Sequence, residues 1–69
     1  MYKIKPKVKE LLKNNKITNR KIAYKLGVTE GYISQIINAR KLDISKLMAY
    51  AFCKAIDSDL EITDLFEIF

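Results

Sequence analysis

The residues IAYKLGVTEGYISQI, at positions 22–36, constrain the fold more than any other stretch of the chain. Apolar residues recur at helical spacing on both sides of Gly27, and Thr29 follows two residues later. Glycine adopts the left-handed conformation in which helices commonly end. A threonine just beyond such a turn is a capable N-cap. The pattern predicts a helix over about Asn19 to Leu26, a three-residue turn, and a second helix over about Glu30 to Asn38. Thr18, preceded by apolar Ile17, caps the first of the pair. Two helices joined by a short turn containing glycine form a helix-turn-helix, here over about residues 18–38.

The flanking segments extend the same reading. Pro6 suits the first turn of a helix, where its missing N–H is no loss. Val8, Leu11 and Leu12, with Ile4 one turn earlier, predict a helix over about Lys5 to Asn14. Asp43 or Ser45 can cap a fourth helix over about Ile44 to Ile56. Its apolar set is Ile44, Leu47, Met48, Ala51, Phe52, Ala55 and Ile56. The residues DSD at 57–59 act as a linker to LEITDLFEIF, where Thr63 can cap a short last helix. The tail can equally pair as a strand. With two glycines, one proline and no Asn-Gly or Asp-Gly hairpin signal, an all-β fold is disfavoured. The expected fold class is all-α: one domain over residues 1–69, a compact bundle of about five short helices.

Charge divides the chain. Residues 1–41 hold eleven Lys and Arg against two acids, or +9. Residues 42–69 hold two Lys against six acids, or −4. A basic front half opposed by an acidic back half points to a polyanion-facing surface, although lysines also simply solvate small domains. Cys53 is the only cysteine, so no internal disulfide can form and a reducing, cytoplasmic setting is expected. Cys53 itself reads as a small core residue, and Met48 and Tyr50 as core or interface. No apolar run spans a membrane and no signal-peptide core follows the N-terminus. With no histidine, no second cysteine and no glycine-rich phosphate loop, no catalytic, metal or cofactor site is expected. The acids Asp57, Asp59, Glu61 and Asp64 lack the glycine and terminal bidentate glutamate of a calcium loop.

At about 100° per residue, Ile33, Ile36 and Ile37 share one arc of the second helix of the pair. Glu30, Gly31, Ser34, Gln35 and Asn38 occupy the opposite arc, with Tyr32 on the border. This face carries hydrogen-bonding groups but no lysine or arginine. A merely solubilising face would favour Lys and Glu, which are also better helix formers. A helix in the major groove needs donors and acceptors that reach base edges. Lysines elsewhere would meet phosphates, which position the protein without specifying sequence. Gln35 can pair with adenine N6 and N7, or stand in solvent. Glu30 can accept from cytosine N4, or serve the positive end of the helix dipole. Gly31 permits close approach to DNA, or is a tolerated weak point. Tyr32 either places its hydroxyl on a phosphate or covers Ile36. Lys16, Arg20, Lys21 and Lys25 lie on or near the first helix of the pair, and two of the four are expected to reach phosphate. Lys3, Lys5, Lys7 and Lys9 form either a loose DNA-contacting arm or a solvated face.

The run from Asn19 to Ile36 resembles the phage Cro/cI-type, or xenobiotic-response-element, helix-turn-helix family. The resemblance rests on Ala23, which lets the two helices approach, on Gly27 in the turn, on Val28 and cap Thr29, and on Ile33-Ser34-x-Ile36. It is strong over about residues 17–41. It implies five short helices and a transcriptional regulator, mostly a repressor, that binds operator DNA as a dimer. Position by position, it implies base contacts from Glu30, Gly31, Ser34 and Gln35. It implies backbone contacts from Asn19, Thr29, Asn38, Arg40 and Lys41; the reading of the residues themselves adds Arg20, Lys21 and Tyr32 as expected backbone contacts. Asn19 stands where the family usually has Gln. Ala39 stands where it usually has Gly, so the loop is either strained or differently shaped. Leu65, Phe66, Ile68 and Phe69 are too many apolar groups for one small core, and they are the expected dimer surface. Packing of Leu65 and Phe66 inside the chain competes with that. Expected partners are double-stranded DNA, a second copy and a protein antagonist. The alternative function is a protein-interaction module, such as an antitoxin or antirepressor, on the same fold.

Overall fold

A computed structural model describes residues 1–69. Five helices are present: α1 (Lys7–Asn14), α2 (Asn19–Leu26), α3 (Glu30–Ile37), α4 (Lys46–Ile56) and α5 (Ile62–Leu65). Two three-residue strands, β1 (Tyr2–Ile4) and β2 (Phe66–Ile68), join the ends of the chain. The class is the mostly helical bundle expected, with this small sheet added.

Three helix starts follow from local chemistry. The side chains of Thr18, Thr29 and Ser45 accept from the backbone N–H groups of Lys21, Tyr32 and Met48, in the N-cap geometry. For α4 this selects Ser45 over Asp43. The last helix is capped by Glu61 rather than Thr63. Glu61 and Asp64 exchange side-chain bonds with each other's backbone N–H in a capping box.

Three helix ends share one device. After α2, Gly27 is left-handed at φ 69°, Val28 N–H donates to the Ala23 carbonyl at 3.1 Å, and Gly27 N–H reaches Tyr24. After α1, Lys16 is left-handed at φ 57° and Ile17 N–H donates to Leu12 at 2.9 Å. After α3, Ala39 is left-handed at φ 57° and Arg40 N–H donates to Gln35 at 2.9 Å. All three are Schellman ends, which satisfy carbonyls that the helix leaves open. Only one of the three has the residue best suited to it. The Ala39 loop thus closes in the same way as the Gly27 turn and accepts the strain of a left-handed alanine, about 1–2 kcal/mol.

The core consists of fourteen buried residues, all apolar, drawn from every element. Ala23 is among them, and α2 packs on α3 and α4. Phe52 and Phe66 meet edge to face, ring centroids 5.5 Å apart. No charged or polar side chain is buried, so all thirteen Lys and Arg keep their charge at or near the surface.

The N-terminal segment departs from expectation. Ile4 belongs to β1, not to a turn before the first helix, and the chain turns helical only at Pro6. The strands are antiparallel, with Tyr2 opposite Ile68, Lys3 opposite Glu67 and Ile4 opposite Phe66. Tyr2 also bridges Ile44 on its other side, so Ile44 is buried ahead of α4 and not within it. Leu47 was expected inward and is 78% exposed. The core face of α4 is set by Ala49, Phe52 and Cys53, and Leu47 lies two residues, or about 200°, out of phase with Ala49. Tyr50 is also exposed, beneath the Lys54 ammonium. Of the expected dimer residues, Leu65 and Phe66 are withdrawn into the chain's own core, while Ile68 and Phe69 remain exposed.

Candidate nucleic-acid interface

The Gly27 turn and the Thr29 cap fix α3 against α2 with Ile33, Ile36 and Ile37 buried. Burial of that arc leaves Glu30, Gly31 and Gln35 exposed and Ser34 half-exposed, a continuous outward face. A Cβ built on Gly31 would meet only the Thr29 hydroxyl oxygen, at 3.9 Å. Nothing inside the chain therefore requires glycine there.

Beside this face the end of α1, the start of α2 and the end of α3 converge on a groove of about 350 Å³. Its polar walls are Lys9, Lys13, Lys16, Thr18, Asn19 and Asn38, over a floor of Leu12, Ile17 and Ile37. No carboxylate lines it. The positive end of the α2 dipole opens into it at Asn19, adding to the field of three ammonium groups. Arg20 and Lys21 follow in the first turn of α2, exposed and without a side-chain partner, and Arg40 is likewise exposed after α3.

Several expected phosphate contacts are engaged elsewhere. Lys25 donates to the Ala55 carbonyl near the end of α4, at 3.1 Å, while Lys21, one turn earlier, is unpaired. Lys41 lies 5.4 Å from the centre of the Tyr32 ring and 3.1 Å from the Asp43 carboxylate. The hydrogen bond from Lys41 holds the Asp43 carboxyl below its usual pKa. Tyr32 is half-buried against the core, which favours its covering role. Asn38 donates from Nδ2 to the Ser34 carbonyl and hydroxyl, at 2.9 and 3.1 Å, and accepts from Lys9 at 2.9 Å. Its side-chain donors are therefore occupied within the chain, and the ammonium of Lys9 is the group it leaves facing outward.

The loose N-terminal arm is not formed. Lys3 is in β1, over the Phe69 ring, Lys5 donates to the Thr63 carbonyl, and Lys7 and Lys9 belong to α1. Sequence reasoning leaves out Lys13 and leaves Lys9 between an arm and a solvated face. The signal was present in the spacing: Lys9, Lys13 and Lys16 recur at i, i+4 and i+7, one face of a helix.

A helix-turn-helix with an outward face free of Lys and Arg and a flanking cationic groove defines the class of DNA-binding helix-turn-helix domains. The family model described as helix-turn-helix, of the Cro/cI type, matches residues 8–62. The chain belongs to this family of DNA-binding transcription regulators, which is not a family of enzymes. No curated protein and no solved structure gives a significant match. No helix is long and apolar enough to cross a membrane.

Proposed function

We propose that the chain is a sequence-specific repressor or Cro-like regulator of a phage or mobile element, acting as a dimer on an inverted-repeat operator. The observation that carries this reading is the outward face of α3, where Gly31, Ser34 and Gln35 stand free of Lys and Arg beside unpaired cations on α1 and α2. The cations hold phosphates and set the register of the helix. Ser34 and Gln35 then reach base edges, and Gly31 lets the helix axis come close. Glu30 stays at the first turn of α3, where the dipole favours its charge. Thr29 and Asn19 add neutral groups at the two helix starts, near the sugar-phosphate chain.

Dimerisation is assigned to the sheet end of the molecule, where Ile68 is 70% and Phe69 58% exposed beside an exposed Met1. A second reading, a module that binds a protein antagonist, toxin or repressor, is favoured by one observation. Leu47 and Tyr50 form an exposed apolar face on α4 that the core does not use.

The test is selection from a random double-stranded DNA pool at physiological salt. The reading expects an enriched inverted repeat with half-site centres about 10 bp apart. Gln35→Ala should relax one base position, and Lys21→Ala should weaken all sites alike. Retention that only fades with salt, with nothing enriched, would refute groove reading and leave the α4 face as the place to look for a partner.

A further inference from the structure

Two apolar surfaces are left uncovered by the core, and they are opposite in charge. The first is a groove of about 460 Å³ between α1 and α5. Leu11, Leu60 and Leu65 form its floor, and Glu10, Asp64 and Lys7 its rim. Exposed Asp59 and Glu61 flank Leu60 in the chain. The second is the outward face of α4, where Leu47 and Tyr50 are exposed. Leu47, Tyr50 and Lys54 recur at i, i+3 and i+7, and Lys46 lies one turn before Tyr50, so lysines bracket the apolar pair. No acid belongs to α4. Neither surface is neutralised from within. The ion pair of the chain joins Lys41 to Asp43 and leaves Glu10, Asp64 and Lys46 without an opposite charge. Lys54 donates to the Ser58 and Leu60 carbonyls, which keep its charge and hold it over the Tyr50 ring. Leu11 is two residues, about 200°, from both Lys9 and Lys13. The α1–α5 groove therefore opens on the flank of α1 opposite the cationic groove.

We propose that the Lys46–Leu47–Tyr50–Lys54 face of one copy docks in the acid-rimmed α1–α5 groove of a second copy. This contact is separate from the sheet end, because Met1, Ile68 and Phe69 belong to neither surface. Leu47 and Tyr50 cover Leu11 and Leu60, and the lysines that bracket them meet the carboxylates of the rim. The occupant is a second copy because the chain carries both halves of the match, apolar to apolar and cation to anion. Two α4 faces do not suit each other, since lysine would face lysine. Two grooves would likewise set carboxylate against carboxylate. The contact therefore pairs unlike surfaces. It goes beyond the DNA reading and does not depend on it. Neither surface shares a residue with the cationic groove or with the outward face of α3, so a copy held on DNA keeps both open.

The experiment is sedimentation velocity on the full chain, without DNA, over a concentration series. Leu47→Glu puts an anion on the α4 face, against the acidic rim. Leu11→Lys puts a cation in the groove, against the α4 lysines. Both side chains are exposed, and circular dichroism checks that each variant is folded. Glu10→Lys, at a fully polar exposed position, is a second groove variant. Contact at the sheet end persists in every variant and sets the baseline. The wild type is expected to gain mass with concentration beyond that baseline. Each variant alone should weaken this association about fivefold or more. An equimolar mixture of Leu47→Glu and Leu11→Lys should recover it, because the intact groove of the first takes the intact α4 face of the second. A contact between like surfaces gives no such recovery. The inference is overturned if the variants associate as the wild type does, if the wild type gains no mass beyond the baseline, or if the mixture sediments no faster than its parts. Selection from the DNA pool tests groove reading separately, so the two can fail independently.

Discussion

Gly31→Ala separates folding from recognition in a single substitution. Gly31 is the second residue of α3. Glycine in a helix is less stable than alanine by roughly 0.5–1 kcal/mol, because the unfolded chain loses more freedom. Only the Thr29 hydroxyl oxygen, 3.9 Å away, would touch the new methyl group, an ordinary contact that needs no rearrangement. The free protein should therefore gain most of that amount, a rise in Tm of roughly 2–8 °C for a domain of this size. On DNA the sign reverses. The methyl group projects from the outward arc shared with Gln35, into an interface that closes to van der Waals contact. Overpacking of a closed contact costs about 1–3 kcal/mol, or about 5- to 150-fold in affinity. Thermal melting by circular dichroism and fluorescence anisotropy on an operator duplex at fixed salt measure the two effects. A variant that melts higher yet binds equally well would refute close approach at Gly31. One that fails to melt higher would refute the account of why glycine is tolerated in this helix only for an external reason.

Further outcomes are expected. Ala39→Gly should raise stability by about 1 kcal/mol by relieving a left-handed alanine. Gly27→Ala should lower it by a similar amount of about 1 kcal/mol, since only backbone strain is added where a methyl group meets no atom; urea titration checks both. Lys13→Ala and Lys16→Ala should each reduce the slope of log affinity against log salt by about 1, whereas Lys25→Ala, whose ammonium is bound to the Ala55 carbonyl, should leave the slope unchanged. Burial, reinforced by the nearby Asp64 carboxylate, pushes the Cys53 thiol up from 9.0 to about 11. The folded state then holds a proton that the unfolded chain releases first. Stability should be unaffected below pH 9 and fall between about 9 and 11. Alkylation of Cys53 at neutral pH should proceed only through unfolding, so rapid labelling of the native protein would contradict this.

The sequence by itself determined the parts that depend on neighbours in the chain. Thr18, Thr29, Ser45 and Gly27 act on backbone groups within a few residues, so their roles are readable from spacing alone. The apolar arcs of α2 and α3 follow from the same periodicity, and with them the outward positions of Gly31 and Gln35; in α1 Val8 and Leu12 are buried as the periodicity predicts, but Leu11 is exposed. What tertiary structure decided involves partners far apart in sequence. Tyr2 and Ile68 are paired across the whole chain, with no hairpin turn to announce them, and strands of three residues carry almost no periodic signal. The phase of α4 depends on which side meets Phe66 and α2, which is why Leu47 ended in solvent and Phe66 in the core. The division of the lysines was equally hidden. Lys21 and Lys25 are alike in sequence, but only Lys25 finds a carbonyl of α4 within reach. Lys9 and Asn38, 29 residues apart, come together only because the core packs α1 beside the end of α3.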